Sequence, residues 1–148
     1  MKTIELKIVT PDKVVYDGEV EGVSFPTVEG EITVLPGHIP IISAIKPGEL
    51  KIKKGGKIEF FAVAKGVIEV DGKRITMLAD AAEKAEDIDE KRAEEARSKA
   101  KKLMAEKRGD EEGYTEAMAE LERALSRLKI ARKRRRGSKA SFENGSHG

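Results

Sequence analysis

The 148-residue chain has no cysteine and no tryptophan. Without thiols, disulfides and thiolate metal sites are excluded. Aromatic residues make up only 4% of the sequence, so the core has to be built mainly from Ile, Val, Leu and Ala. No apolar run approaches the roughly 18 residues needed by a membrane-spanning helix. The first residues, MKTIELKIV, lack the apolar stretch and cleavage site of a secretory signal. No Gly-rich loop ends in Lys-Ser/Thr, so the phosphate cradle of nucleotide hydrolases is missing. His38, in LPGHIP, has no second histidine nearby with which to form a metal pair or a triad. A lone histidine in a turn is more often a surface or hydrogen-bonded residue than a catalyst. Glu29 and Glu31 flank Gly30, and turn carboxylates of this kind are commonly solvated. Catalysis therefore has little support, and no metal site is expected.

What the chain does contain is a single change of hydrophobic period, near residue 82. Before it, short alternating runs are broken by Gly and Pro; after it, proline is absent and apolar residues recur every three or four positions. Ile4, Leu6 and Ile8 alternate with Glu5 and Lys7 as in a half-buried strand. Further strands are expected at 20–25, 32–35, 41–45, 50–53, 58–64, 67–70 and 75–78. Gly55-Gly56 and Asp71-Gly72 are two-residue hairpin signals. The basic string KKGGK, 53–57, has hairpin spacing, so its glycines read as turn residues. Turns this closely spaced leave no room for helical crossovers, which favours an antiparallel sandwich or flattened barrel over a parallel nucleotide fold.

Residues 83–136 read as a two-helix antiparallel hairpin. Asp87 or Asp89 caps a helix running to about Arg108, with acids at its start and Lys/Arg at its end, as the macrodipole favours. Its apolar stripe is Ala93, Ala96, Ala100 and Leu103. After a break at 109–113, a second helix spans about 114–134, with the stripe Tyr114, Ala117, Leu121, Ala124, Leu125, Leu128 and Ala131. An alanine-rich stripe buries little area, so the hairpin has a thin margin against opening. A permanently closed hairpin is the plainer alternative. If the turn centres near residue 111, Arg92 and Lys99 gather with Arg123 and Arg127 across the seam. Such a cluster suits an anion such as a nucleotide phosphate; neighbouring Glu94, Glu95, Glu120 and Glu122 would instead neutralise it.

Net charge is −1 over residues 1–82, −3 over 83–128 and +6 over 129–148. The basic run at 132–136 could meet RNA, an anionic membrane or an acidic protein surface, or simply end a solvated helix. Tyr114 and Phe142 are the sole aromatics after residue 61, so base stacking has little to work with. The tail 137–148, GSKASFENGSHG, is small, polar and glycine-rich and reads as disordered or as an added remnant.

Several ordered motifs resemble the bacterial F-type ATP synthase epsilon subunit family over roughly residues 1–135. The matching strings are EGEITVLPGHIPIISAIKPG at 29–48, GVIEVDGKRITMLAD at 66–80 and AEDIDEKRAEEA at 85–96. Lys65-Gly66 stands where the family usually has Gly-Gly. The resemblance implies a ten-stranded β-sandwich followed by a two-helix hairpin. It implies a non-catalytic rotor component of the central stalk, one that couples proton or sodium flow to ATP synthesis and restrains ATP hydrolysis. The implied partners are the gamma subunit, the c-ring and the alpha/beta catalytic hexamer, at the cytoplasmic face of the bacterial plasma membrane. No nucleic acid is expected; a basic-tailed nucleic-acid-binding module is the alternative.

By position, the turn around Glu29, Glu31 and His38 resembles the ring-facing end. Lys129, Arg132, Lys133, Arg134, Arg135 and Arg136 are suited to acidic segments of the catalytic subunits. Some family members bind ATP through Ile/Leu-Asp-x-x-Arg-Ala, which here is Ile88, Asp89, Glu90, Lys91, Arg92 and Ala93. The resemblance also matches Glu83, Arg123 and Arg127 to that site. Lys99 replaces an arginine, keeping the charge but not the fork, and Glu116 stands where another arginine falls. No cofactor is required; ATP is expected as a regulatory ligand, with the role of Mg²⁺ undetermined.

Overall fold

The computed structural model describes residues 2–38 and 40–137, with side chains described as far as Arg134. The chain forms two compact units, the first ending at Lys84 and the second beginning at Ala85.

The first unit contains ten strands: β1 Ile4–Val9, β2 Val14–Val20, β3 Gly22–Thr27, β4 Gly30–Val34, β5 Ile41–Ile45, β6 Gly48–Lys54, β7 Lys57–Val63, β8 Gly66–Val70, β9 Arg74–Ala79 and β10 Ala82–Lys84. They form two five-stranded sheets, ordered β2-β1-β9-β8-β5 and β10-β7-β6-β3-β4. Alternation explains why these segments are strands. In β1, Ile4, Leu6 and Ile8 are buried while Glu5 and Lys7 are exposed. The inner faces of both sheets supply the core, which includes Leu6, Ile8, Phe25, Leu50, Ile52, Phe61, Ile68, Ile75 and Met77. The few aromatics are placed where they bury most area: Phe25 and Phe61 are fully buried, and Tyr16 packs edge-on against Phe61 at 6.2 Å.

The structure divides one expected segment differently and adds one that was not expected. The expected strand at 20–25 is the end of β2 and the start of β3, which lie in different sheets, with the chain crossing at Glu21. β10 is a three-residue strand, missed because AEK has no apolar alternation; it pairs with β7 and carries the sheet to Lys84. Gly55 and Gly56 form the expected two-residue turn, with φ of 58° and 77° and Lys54 opposite Lys57. The second hairpin closes one residue later than expected. Asp71 N–H donates to Arg74 O at 3.1 Å, leaving Gly72 and Lys73 at the tip. Gly66 is needed for close approach, since a Cβ there would lie 2.2 Å from the Leu78 carbonyl oxygen. The neighbouring Lys65 is exposed and under no such constraint.

The second unit opens with a 3-10 turn, Ala85–Asp87, followed by α1 Glu90–Glu106 and α2 Glu111–Gly137. Asp89 is the N-cap of α1; its carboxylate accepts from the N–H groups of Lys91 and Arg92. Asp110 starts α2, its Oδ1 accepting from Gly113 N–H at 3.2 Å, so the expected break at 109–113 is shorter and α2 begins earlier. The two helices pack on each other, and α2 also packs on the 3-10 turn. Ala93, Ala100, Ala117, Ala124, Leu128 and Ala131 are buried.

Two stripe positions, and one residue off the stripe, differ from expectation. Ala96 is exposed, and half-buried Arg97 takes its place beside the seam. Leu125 is 43% exposed, whereas Ile130, on no expected stripe, is buried. Alanine side chains make a narrow stripe, so marginal positions such as Ala96 and Leu125 fall outside the contact; the seam does not account for the burial of Ile130.

Candidate functional site

On α1, Arg92 and Lys99 immediately precede buried Ala93 and Ala100; on α2, Arg123 and Arg127 immediately precede buried Ala124 and Leu128. One residue is about 100° of helical rotation. In an antiparallel pair, positions one before the seam on each helix fall on the same flank. The four cations therefore share one side of the hairpin, as the register argument expected. Arg92, Lys99 and Arg123 are exposed, and their side chains form no ion pair among the described residues. Arg127 is half-buried and has a partner.

The opposite flank holds residues one after the seam. There Arg132 reaches across from α2 to α1, with Nη2 donating to Glu94 Oε2 at 3.1 Å and Nε lying 3.7 Å from Glu90 Oε2. Glu94 also pairs with Arg97. Glu94 is thus used up on the paired flank and does not neutralise the cations of the other one.

The remaining members of the expected nucleotide site have structural duties. Ile88 and Ala93 are buried. Asp89 is occupied in capping α1. Glu83 lies on β10, in the first unit, is half-buried and has a partner. Toward the interhelical link the charge reverses. A groove there is lined by Asp110, Glu112, Glu116 and Glu120, with Lys107 beside them. Glu116 precedes buried Ala117, so it stands on the cationic flank but at its acidic end. The flank is therefore positive at its Arg92 end and negative at its link end.

In the sandwich, the structure separates residues that the sequence reading grouped. β3 and β4 join at Val28 and Glu29, where the Thr27 hydroxyl donates to Gly30 O at 2.7 Å and accepts from Glu29 N–H at 3.2 Å. Glu31 pairs with Lys51 at 3.2 Å near this turn. β4 then runs to Val34 before His38, so His38 lies at the other end of the sheet, about 15 Å of extended chain away. The β5–β6 turn joins the Glu29 end, since Lys46 N–H donates to Pro26 O. The hairpin tips at Gly55–Gly56 and Gly72–Lys73 share the His38 end. Glu29 and Glu31 thus form one candidate contact, and His38 belongs to another.

The sequence reading also missed a surface. On the outer face of the first sheet, ladder partners form a row: Ala44 opposite Val67, Val67 opposite Leu78, Leu78 opposite Val9, and Val9 opposite Val14. Val14 is 51%, Val67 46% and Leu78 56% exposed, and nearby Ile42 is 75% exposed. One apolar residue from each of five strands meets water in a line, which is the form of an interaction surface. The available signal was ITMLA at 75–79, where both faces are apolar although one faces solvent.

Of the basic end, Lys129 and Lys133 are exposed and Arg132 and Arg134 half-buried. The side chains of Arg135 and Arg136, and residues 138–148, lie outside the described residues. Among the described residues, no group of three or more metal-ligating side chains gathers, and no helix is long and apolar enough to cross a membrane.

Together these features define a two-part protein: a sheet platform with an exposed apolar row, and a helical hairpin with one ion-paired flank and one cationic flank. Two family models match in tandem, "ATP synthase, Delta/Epsilon chain, beta-sandwich domain" over residues 3–85 and "ATP synthase, Delta/Epsilon chain, long alpha-helix domain" over 86–132. The chain belongs to the ATP synthase delta/epsilon family. It is similar to the ATP synthase epsilon chain of Halalkalibacterium halodurans, 40% identical over 88% of this chain and 98% of that one. It is also similar to that of Bacillus velezensis, 43% identical over the same shares. The fold resembles a chain of the Euglena gracilis mitochondrial ATP synthase, with TM-score 0.70 and 23% identity over 84% of this chain and 78% of that chain. The function is that of an epsilon subunit of ATP synthase, a stalk component and not a catalytic one. Between the two readings of the sequence, this decides against the nucleic-acid module.

Proposed function

We propose that the sandwich docks on the gamma subunit and the c-ring, and that the helical hairpin restrains ATP hydrolysis by opening toward the alpha/beta catalytic hexamer. The complex would then hold this chain at the cytoplasmic face of the plasma membrane, as a peripheral part of a motor driven by protons or sodium. The apolar row from Val14 to Ala44 suits a buried stalk contact, and the Glu29–Glu31 turn suits polar loops of a ring.

The observation that carries the regulatory part is the seam of the hairpin. Four of its buried residues, Ala93, Ala100, Ala117 and Ala124, are alanines. Each buries little apolar area, so a partner or ligand supplying a few kcal/mol shifts the open–closed balance. ATP on the Arg92–Lys99–Arg123–Arg127 flank would favour the closed form, and low ATP would release the helices. The test is to add the purified chain to its cognate alpha-beta-gamma complex and follow binding and hydrolysis at low and high ATP. Stable binding with inhibition that weakens as ATP rises supports the reading; no binding, or hydrolysis that does not change, removes it.

A further inference from the structure

Arg132 stands in two places at once. It belongs to the basic end assigned above to an acidic partner, yet it is the residue of α2 that reaches across to α1. Its guanidinium binds Glu94 at 3.1 Å and approaches Glu90 to 3.7 Å. These acids are four apart on one face of α1 and receive Arg132 between them. Glu94 also holds Arg97, whose Nε is shielded from water without a hydrogen-bond partner. Opening the helices strips Glu90 and Glu94 of Arg132 and leaves Arg97 as the remaining partner of Glu94.

We infer that Arg132 is an ionic latch whose guanidinium is exchanged between two carboxylate sets: Glu90 and Glu94 when the hairpin is closed, and carboxylates of an acidic protein partner when it is open. The inference rests on the reading that the hairpin opens toward such a partner, and adds what that reading lacks. Closure withholds a specific cation from the partner, and opening supplies it. A fork-shaped guanidinium suits this exchange because both destinations are carboxylates that it engages through two nitrogens. The side chains are partly exposed, 43% for Arg132, 27% for Glu90 and 37% for Glu94, so neither partner holds it irreversibly. The seam below is alanine-lined, so even a modest ionic contribution weighs in the balance.

Two variants of the full chain separate the halves of the inference. The double variant Glu90→Gln, Glu94→Gln removes the closed-state acids but keeps the cation; Arg132→Gln removes the cation from both states. Circular dichroism checks that helix content is retained. In the isolated chain, both variants should speed hydrogen exchange of the α2 amides facing the seam by about two- to fivefold, the range of partly exposed ion pairs. In the cognate alpha-beta-gamma complex the two should diverge. The double Glu variant should inhibit hydrolysis at lower concentration than the unaltered chain, and Arg132→Gln should inhibit less well than the double Glu variant. Exchange equal to that of the unaltered chain in both variants overturns the latch. Equal shifts in inhibition overturn the hand-over, because a purely structural role moves both variants together. If the unaltered chain fails to inhibit, the inhibitory reading and the hand-over both fall, while hydrogen exchange still decides the latch.

Discussion

Val67 and Leu78 face each other across β8 and β9 on the outer side of the first sheet, 46% and 56% exposed. Leu78 also lies opposite Val9 of β1, so it is the middle residue of the apolar row. A stalk partner seated on this face would bury Leu78 most completely. Leu78→Glu should weaken binding to the cognate alpha-beta-gamma complex about tenfold or more, at least ~1.4 kcal/mol. Stability should change by no more than about 0.5 kcal/mol, since the side chain is outside the core. Titration of the complex and thermal unfolding of the free chain check both. Undiminished binding would remove the row as the docking surface.

The cationic flank of the hairpin yields a second expectation. Arg92→Ala should lower ATP affinity about ten- to a hundredfold, the worth of one charge-assisted hydrogen bond. Lys101→Ala, which follows Ala100 and so lies on the other flank, should leave it unchanged. Lys99→Arg should raise affinity by restoring a fork. Calorimetry on the isolated chain reads all three, and an affinity unchanged by Arg92→Ala contradicts the site.

A pH effect follows from the β8–β9 turn. Asp71 Oδ1 accepts from Lys73 N–H at 3.0 Å and Arg74 N–H at 2.8 Å. These backbone donors, Lys73 first, hold the carboxyl below the usual carboxylate range. The folded-state pKa is depressed, so the contribution to stability is complete above the unfolded-state value and lost as pH falls through the folded one. Asp71→Asn should therefore lower stability at neutral pH, and the difference from the unaltered chain should vanish in acid. Unfolding measured from neutral to acid pH checks this; a difference independent of pH contradicts it.

Much of the architecture was legible because local and tertiary preferences agree. The alternation of Ile4, Leu6 and Ile8, the Gly55-Gly56 turn and the Asp89 cap each have one favourable structure, and the chain adopts it. The segments read differently are those settled by distant pairing. β10 exists because β7 offers an open ladder, and the break at Glu21 exists because β2 and β3 serve different sheets. The cationic flank was legible from register, since seven- and four-residue spacings hold on any helix. The Arg132 latch was not: it depends on the side on which two long side chains meet, which only the packed pair reveals. His38 was grouped with Glu29 and Glu31 on the family resemblance, whereas strand β4 between them puts them at opposite ends of the sheet.

The central claim is that the hairpin regulates by opening, and a covalent bridge tests it most directly. The chain has no cysteine, so Glu90→Cys with Arg132→Cys provides two unique thiols at positions that face each other. A short bismaleimide then locks α1 to α2. In the cognate complex at low ATP, the locked chain should leave hydrolysis uninhibited, while the same variant without the bridge should still inhibit, less strongly than the unaltered chain because it lacks Arg132. Equal hydrolysis rates with the locked and unlocked chains, at every ATP concentration, would contradict the account.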